Sequence, residues 1–489
     1  MTPLLFRLFY LVLALILETT ASAEFDVGKT LSDPFSTGAS VANSSGQQHF
    51  RDSERDPCIA SAAVSHQWTL VEVIDTALCR NPKTRQAWAN ARVQAAQVGV
   101  SQAAYLPSLS VTANASRSAN TASSLGGNQS FGSAQAGVSS LSSREQFRVF
   151  PQISLNYLLF DFGGREAKLD NARLALEAAN WTQDATIQQI MLAAIQAYYQ
   201  VFATQAAVDS ARTALASSDE ALKAADVRHE VGTVALADAL QAKTAYAQAK
   251  LNLQKAEGDS RIAAGTLANA MGMQADQAIQ IEPPTLAEPD QARDDDVHRL
   301  IEQAKSLRPD LAAAESQVKA AEANVSVARS SSLPTVSMVG NYGYNYSSVL
   351  NNSESWSIGL QLNVPLFTGF ANTYQIRAAE EQVAVQKAGR DQLDQAVALD
   401  VWRAYHQLNT TRETLVSSGE LVASASQSEA VALGRYKAGA GNVLDLLNAQ
   451  SSLANARMQN IQALYDWLTQ KAVLAQAIGR LGLDRLESR

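Results

Sequence analysis

The sequence predicts an α+β chain made of two similar halves, each of which combines long helical hairpins with a pair of β-strands. Three observations support this prediction: a repeat at an offset of 207 residues, long stretches without proline, and four short segments in which apolar and polar residues alternate. The composition agrees, because charged residues make up 18% and aromatic residues 7% of the 489 residues. These proportions suit long polar helices better than a large enzyme core.

The N-terminus has the pattern of a cleavable export signal. Arg7 precedes the apolar run Leu8–Leu17, and the small residues Ala21–Ala23 follow it. This run of ten apolar residues is too short to cross a bilayer. We therefore expect residues 1–23 to be removed as a signal peptide and the mature chain to have no transmembrane helix. Residues 24–67, rich in Ser, Asp, Gly and Asn, are expected to form an irregular extension.

The chain has two cysteines, Cys58 and Cys79. An exported chain meets oxidising surroundings, and a bridge between these residues would close a loop of about 20 residues and contribute roughly 3 kcal/mol in the loop-entropy view. The alternative is two unpaired buried thiols. We expect the disulfide, because the two cysteines form an even and local pair.

The repeat runs through the chain in two registers. At an offset of 207 residues the matched positions are Leu159-Phe160 with Leu366-Phe367, Tyr198 with Tyr405, Gly232 with Gly439, Asp238 with Asp445, and Gly272 with Gly479. At an offset of 227 they are Asn81-Pro82 with Arg308-Pro309 and Ala104–Thr112 with Ser331–Val339. The 20-residue difference predicts a longer exposed loop between Pro107 and Leu159. We expect a first half at 68–280, a linker at 281–296, a second half at 297–482 and a tail at 483–489.

Helices dominate each half. Arg165–Val231 contains neither Gly nor Pro, and at 1.5 Å per residue it would form a helix about 100 Å long. The matching segment, Ala371–Lys437, lacks Pro but contains three glycines, so bends are easier there than in Arg165–Val231. After Gly232 and Gly439 the chain returns in further helices, whose small residues would allow close packing. Two long antiparallel hairpins are predicted.

Four segments alternate between apolar and polar residues, as strands with one face of each kind do. They begin near Leu109, Gln152, Thr335 and Ser355. In a soluble sandwich the apolar face would cover a core, whereas in an outer membrane it would face lipid. The second and fourth segments, at about nine to eleven residues, could cross a bilayer at a tilt. Since a membrane barrel needs about eight strands and tolerates no open edge, a spanning sheet would require several copies of the chain.

An ordered set of short motifs occurs once in each half. Two turns place an Arg four residues before a Gly and an Asp six residues after it, at Arg228, Gly232 and Asp238 and at Arg435, Gly439 and Asp445. The other motifs are the strand entries "YLP" and "SLP", the junctions Leu158–Gly164 and Pro365–Phe370, and a final "MG" or "IG". From about Trp68 to Gly482 the chain therefore resembles the TolC-like outer-membrane efflux and secretion channels. The resemblance implies a homotrimer with one twelve-stranded β-barrel in the outer-membrane lipid, four strands per chain, continued by a long periplasmic α-helical barrel.

The resemblance also assigns roles to the two turns. In the family these turns form a periplasmic tip that docks a membrane-fusion adaptor and opens like an iris. Arg228, Gly232, Arg435 and Gly439 are accordingly expected to dock the adaptor. Asp445 resembles the acid that projects into the closed entrance. Threefold symmetry would make it a ring of like charges that selects cations.

This sequence departs from the family at the entrance. Many members carry a second acid where Asn448 stands, and some carry a basic residue at Gly441 that locks the closed state against Asp238. Tyr436 is present at the other lock position. The resemblance thus implies an entrance formed by Asp238, Asp445, Asn448 and Tyr436, with a less acidic ring and a thinner lock. Independently of the family, both acids fall near helix starts, where negative charge complements the helix dipole, and this capping role is the alternative.

The resemblance implies a passive conduit in a tripartite export system, with a periplasmic adaptor and an inner-membrane ABC transporter as partners. Thr69–Gly99 and the polar extension that contains Cys58 are similar to type I secretion channels, which export repeat-rich toxins such as cyclolysin. We therefore expect protein secretion. The alternative is drug or small-molecule efflux with a proton-driven pump.

Other function classes fit the sequence less well. The net charge of -8, without a basic stripe, does not favour a nucleic-acid partner. Asp161–Gly163 reads "DFG", but no Gly-rich strand turn, catalytic loop or partner lysine of a kinase accompanies it. The five histidines have no metal-ligand spacing, so no metal site is expected. We also expect neither enzymatic activity nor a cofactor. A purely structural periplasmic coiled coil would need sustained heptads, which these helices lack.

Overall fold

The structure, a computed structural model, describes residues 33–41, 67–122, 142–277, 279–283, 296–348 and 352–481. The helices in these ranges are α1 (Leu70–Arg80), α2 (Pro82–Ala103), α3 (Gly164–Glu230), α4 (Leu236–Ala270), α5 (Val297–Leu307), α6 (Pro309–Ser330), α7 (Ala371–Lys437) and α8 (Val443–Ala477). The strands are β1 (Gln67–Trp68), β2 (Ser108–Ala122), β3 (Ser142–Phe160), β4 (Gln280–Ile281), β5 (Thr335–Ser347) and β6 (Ser353–Asn363).

The internal duplication is confirmed by the helix lengths. Helices α1 and α5 have 11 residues each, α2 and α6 have 22, α3 and α7 have 67, and α4 and α8 have 35. The starts of the first two pairs differ by 227 residues and those of the last two by 207, as the repeat predicted. Helix α7 continues through its three glycines without interruption, since each glycine in a helix costs only about 1 kcal/mol relative to Ala.

The "MG" and "IG" motifs mark close backbone contacts at the ends of α4 and α8. Gly272 and Gly479 have φ values of 71° and 78°, a left-handed conformation in which Gly avoids the Cβ clash. Both glycines also touch another backbone. A Cβ on Gly272 would lie 2.6 Å from the carbonyl of Arg80, and one on Gly479 would lie 2.9 Å from that of Leu307. Any larger residue at these positions must therefore displace the corner that follows α1 or α5.

The "NP" and "RP" motifs cap the same two helices. The side-chain amide of Asn81 donates to the carbonyl of Ala270 at 3.1 Å. In the second half the guanidinium of Arg308 lies 3.5 Å from the carbonyl of Ala477. Because the last carbonyls of a helix lack partners within it, both side chains satisfy groups that would otherwise be unpaired.

The chain divides into two compact units. The first unit, which includes Ala95–Leu174 and Lys319–Ala384, contains an antiparallel sheet in the order β2-β3-β5-β6. The register places Val111, Ile153, Tyr342 and Trp356 side by side across all four strands. The alternate residues form the other face, where Ser, Thr, Asn and Gln predominate. The four predicted strands and their division into an apolar and a polar face are confirmed.

The second unit holds a core around α1, α3 and α4. Ile74, Ile195 and Leu267 are fully buried there. Tyr198 is also buried, and its hydroxyl donates to the carbonyl of Glu282. Burial raises the pKa of Tyr198 to about 12, so the hydroxyl remains a hydrogen-bond donor at neutral pH.

Within residues 24–67 the structure describes residues 33–41, with one 3-10 turn at Thr37–Ser40, and Gln67, the first residue of β1. The carboxylate of Asp33 accepts from the N–H groups of Thr37 and Gly38 at 3.0 and 2.8 Å. Cys79 lies half-buried on α1, but Cys58 falls outside the described residues, so their disulfide stays a prediction. The signal peptide and parts of the extension, the longer loop, the linker and the tail also lie outside them, at residues 1–23, 24–32, 42–66, 123–141, 284–295 and 482–489.

None of the helices in the described ranges contains an apolar stretch long enough to cross a membrane.

Candidate functional site: the two helix turns and their joint

The turn between α3 and α4 is a glycine-terminated helix end. Gly232 has a φ of 76°, and its N–H donates to the carbonyl of His229 at 2.9 Å. The N–H and the hydroxyl of Thr233 both donate to the carbonyl of Arg228 at 2.9 Å. The two backbone bonds, from Gly232 to His229 and from Thr233 to Arg228, form the Schellman arrangement. The glycine of the motif is therefore required by the backbone, and the Arg four residues before it lies in the last helical turn.

The turn between α7 and α8 repeats this arrangement. Gly439 has a φ of 75° and donates to the carbonyl of Tyr436 at 3.1 Å. The N–H of Ala440 donates to the carbonyl of Arg435 at 2.9 Å. Arg435 itself is exposed. The spacing shared by the two motifs thus has one cause, since both long helices end in the same way before the chain reverses.

The two acids of the motifs lie at equivalent places in the returning helices. Asp238 is the third residue of α4 and Asp445 the third residue of α8. The side chain of Asn442 caps α8 by accepting from the N–H of Asp445 at 2.7 Å, whereas Ala235 gives α4 no side-chain cap. Both acids therefore occupy first-turn positions, where the helix dipole favours a negative charge. Asp445 and Asn448 are exposed, and Asp238 is half-buried.

A polar contact joins the two turns of one chain. A guanidinium nitrogen of Arg228 donates to the carbonyl of Tyr436 at 2.7 Å. The same guanidinium lies 4.2 Å from the centre of the Tyr436 ring, a separation typical of cation–π contacts. Tyr436 is only 3% exposed. Sequence analysis placed both residues at the tip but did not predict this contact.

Apolar side chains from α3, α4 and α8 surround this contact with Tyr436 of α7. Ala225 and Ala242 come from the first hairpin, and Val443 and Leu446 from the second; all are buried in one cluster with Tyr436. We call the Arg228–Tyr436 contact and these supporting residues the tip joint. It fixes the end of α3 against the end of α7.

The family resemblance places Tyr436 at one lock position, and Gly441 stands where some relatives carry the basic residue that locks against Asp238. Within the described residues of a single chain, the Tyr436 hydroxyl is buried and has no hydrogen-bond partner. Its ring faces Arg228 instead. The thinner lock, with Tyr436 at one of its positions, stays a prediction.

A groove of about 770 Å³ runs along α3, α4 and α8 in the second unit. Its walls are mostly Ala, Ser, Gln and Asn, with Lys255, Asp259 and Arg457 among the charged residues. The small residues that were expected to bring helices together divide between two roles. Ala242 is fully buried against the second hairpin, whereas Ala249 lines the groove. The described residues include no group of His, Cys, Asp and Glu that could hold a metal ion.

Comparison with known proteins identifies the family. Residues 73–273 and 300–480 match the sequence profile of the outer membrane efflux protein family. The chain is 31% identical to Protein CyaE of Bordetella pertussis over 438 residues, which cover 88% of each chain. It is 24% identical to the outer membrane efflux protein BepC of Brucella suis over 440 residues, 88% of this chain and 90% of BepC.

Solved structures share the fold. The outer-membrane channel OprN aligns with a TM-score of 0.70 and 20% identity, over 85% of this chain and 90% of OprN. The outer membrane protein VceC of Vibrio cholerae aligns with a TM-score of 0.69 and 21% identity, over 84% of this chain and 96% of VceC. The predicted α+β outer-membrane channel fold and outer-membrane location are confirmed. The family match also falls on both halves of the duplication. The chain belongs to the outer membrane efflux protein family.

Proposed function

We propose that this chain forms, as a homotrimer, the outer-membrane conduit of a tripartite system that secretes protein. The observation that carries the proposal is the incomplete sheet. Strands β2 and β6 each pair on one side only among the described strands. Open edges leave backbone groups without partners, which lipid does not tolerate. Three copies bring twelve strands, and β6 of one copy can pair with β2 of the next to close the wall.

The exposed apolar face of the sheet supports a lipid-facing wall. On β6, Leu360 is 72% exposed, and Trp356, Ile358 and Leu362 on the same face are exposed too. When several large apolar side chains lie exposed together on one face of a soluble chain, they mark a surface that is covered by something else. Lipid is the covering that suits alternating strands.

The opposite face of the sheet suits a water-filled path. Over Ser108–Ser118, Gln146–Asn156, β5 and β6, Arg148 is the one charged residue on the polar face, and its side chain is exposed. Small uncharged polar groups offer weak interactions to many solutes, so this wall suits passive conduction. Energy and most of the selectivity would then come from an inner-membrane pump.

Protein cargo is favoured over small molecules by the 31% identity to Protein CyaE across 88% of the chain and by the resemblance of Thr69–Gly99 to type I secretion channels. An inner-membrane ABC transporter and a periplasmic adaptor would be the partners. Efflux of small molecules with a proton-driven pump is the second candidate, because relatives such as the toluene efflux pump protein TtgC of Pseudomonas putida are named for efflux.

The two turns would face these partners. Docking of the adaptor is proposed for Arg228, Gly232, Arg435 and Gly439. The entrance is proposed to be formed by Asp238, Asp445, Asn448 and Tyr436. Exposure of Arg435, Gly439, Asp445 and Asn448 in the single chain supports both proposals.

Two variants on one strand test the wall. Leu360→Arg places a charge on the apolar face and Gln361→Arg places the same charge on the polar face. Since Arg facing lipid costs about 2–4 kcal/mol at the bilayer midplane, Leu360→Arg should abolish heat-resistant trimers in outer-membrane extracts, whereas Gln361→Arg should preserve them. Equal loss of trimers in both variants, or a wild-type chain that stays monomeric and apart from lipid, would refute the conduit.

Cargo is tested by complementation. A strain without its own channel receives this chain together with an ABC transporter and adaptor of a type I system. Secreted protein should then appear in the medium without a change in drug susceptibility. Restored drug resistance without secretion would instead establish the efflux alternative.

A further inference from the structure

The tip joint uses two repeat positions, and the chain contains each position twice. At the offset of 207 residues, Arg228 corresponds to Arg435, and Tyr436 corresponds to His229. Within one chain the first turn supplies the Arg and the second turn supplies the ring. This leaves the Arg of the second turn and the ring of the first turn outside the joint.

Neither unused position takes part in the joint of its own chain, and the ring of His229 is held within its own turn, where Nδ1 lies 3.3 Å from the carbonyl oxygen of Val234. Arg435 is exposed, and in the part of the chain that the structure describes its guanidinium has no hydrogen-bond or ion-pair partner. His229 is half-buried, and its carbonyl accepts from Gly232 just as that of Tyr436 accepts from Gly439. On the second turn, Arg228 donates to the carbonyl of Tyr436. The first turn therefore has an equivalent carbonyl, that of His229, in the same backbone arrangement.

The apolar residues that pack in the joint on the second hairpin are buried, whereas their counterparts on the first hairpin are exposed. Val443, at the start of α8, is 3% exposed and packs in the joint. Its counterpart at the start of α4, Leu236, is 57% exposed. Leu447 packs against the joint, and its counterpart Leu240 is 54% exposed. Two large apolar side chains thus face solvent at the positions where the second hairpin buries its own.

We infer that the trimer makes the tip joint a second time, between neighbouring copies. Arg435 of one protomer lies over the ring of the partner subunit's His229 and donates to the carbonyl of the partner subunit's His229. The partner subunit's Leu236 and Leu240 are then covered as Val443 and Leu447 are within a chain. The inference rests on the proposed homotrimer and specifies which faces close it at the tip.

The joint between chains follows from the closure of three chains into a ring. Each copy of the half has one surface that gives the Arg and one that gives the ring, as in a head-to-tail contact. Two halves in one chain satisfy one such contact and leave one surface of each kind. Three chains placed in a ring satisfy all the remaining surfaces, so six joints form, three within chains and three between them.

The two kinds of joint differ in chemistry. Those within a chain stack guanidinium on the phenol ring of Tyr436, whereas those between chains use the smaller imidazole of His229. Cation–π attraction is favoured by Trp, Tyr and Phe faces, so the joints between chains are the weaker set. An opening entrance should therefore separate first between chains.

Cross-linking in mixed trimers tests the inference. Two differently tagged chains are expressed together, one with Arg435→Cys and the other with His229→Cys, and the extracted trimers are treated with a short bis-maleimide. A covalent dimer that carries both tags is expected, at least tenfold above the level in trimers with either substitution alone. Chains without added cysteines control for reaction at Cys58 and Cys79. Such a link cannot form within one chain, because no chain carries both cysteines.

Native mass measured on the same sample separates the two possible failures. If trimers form but the doubly tagged product stays at background, the joint between chains is wrong and the proposed conduit survives. If no trimers form in the unsubstituted chain, the proposed function itself fails. As a second measurement, Arg435→Gln should speed hydrogen exchange at the amides of Gly232 and Thr233 in trimers, and unchanged rates there would also overturn the joint.

Discussion

Replacing Arg228 by Gln should loosen the contact between the two turns within each chain. The variant removes the guanidinium that donates to the carbonyl of Tyr436 at 2.7 Å and lies 4.2 Å from the centre of its ring. Helix α3 should keep its own end, because the Schellman bonds at Gly232 use backbone groups alone. The expected effect is therefore on the second turn, 208 residues away in sequence.

The magnitude follows from the two interactions that the guanidinium makes with Tyr436. A hydrogen bond from a charged donor contributes about 1.5–3 kcal/mol, and a cation–π interaction at an exposed site contributes about 0.5–1 kcal/mol. Because Arg228 is half-buried and one guanidinium makes both interactions, we expect their removal to cost about 2–3 kcal/mol together. At 1.36 kcal/mol per factor of ten, local opening becomes about 30 to 150 times more frequent.

Hydrogen exchange on the full chain in detergent measures this opening. The reporters are the amides of Gly439 and Ala440, which donate to Tyr436 and Arg435. Lys223→Gln is the matched control, because it removes one positive charge from the same helix. Lys223 pairs with Asp219, one turn away at 2.6 Å and on an exposed surface, and such pairs contribute little. Exchange at both reporters should remain at the wild-type rate in this control.

Two outcomes would refute the reasoning. If Arg228→Gln speeds exchange at Gly232 and Thr233 but leaves Gly439 and Ala440 unchanged, the side chain stabilises its own turn and does not hold the second one. If Lys223→Gln has the same effect as Arg228→Gln, the removal of a positive charge is the cause and the specific contact with Tyr436 is irrelevant.

Three further predictions concern other parts of the chain. Gly272→Ala should lower the midpoint of thermal unfolding by circular dichroism well below that of Gly439→Ala. Both substitutions place Ala in the left-handed region, which costs about 1–2 kcal/mol of stability. Of the two positions, Gly272 alone also meets another backbone, 2.6 Å from its ideal Cβ. Equal midpoints would show that the backbone after α1 moves aside at no cost in stability. Asp445→Asn should reduce cation preference in planar bilayers, and an unchanged preference would exclude Asp445 from the conducting path. Arg148→Gln should raise cation preference instead, and no change would place that side chain outside the lumen.

The local parts of the fold could be predicted from the sequence because each depends on a few neighbouring residues. The absence of Gly and Pro predicts α3 almost to its ends, and positive φ at Gly232 and Gly439 explains why both long helices stop there. Alternation predicts the strands but underestimates β3, which has 19 residues. The pattern fails at Phe150, an aromatic residue on the polar face. Its ring leans over Gly343, where an added Cβ would lie 2.6 Å away, and only the pairing of β3 with β5 shows this space.

The tip joint could not be predicted from the sequence, because the repeat itself conceals it. The pattern that marks Arg228 marks Arg435 equally, and nothing in either half shows which Arg finds its partner in the same chain. Only the packing of the first hairpin on the second breaks this equivalence. The same packing divides Val443 from Leu236, which are equivalent in sequence and opposite in exposure.

A chain that contains two copies of one half is an open segment of a repeating structure. It satisfies the contact between its halves and leaves one complementary surface at each end. Among the described strands, β2 and β6 are the edges of the sheet. At the two turns, His229 and Arg435 are the positions that the joint within one chain leaves unused. Each pair of surfaces would meet in a contact like one already made inside the chain, so assembly requires no new kind of interaction. In the proposed trimer, the differences between the halves, such as Tyr436 against His229, would decide which contacts between turns separate first.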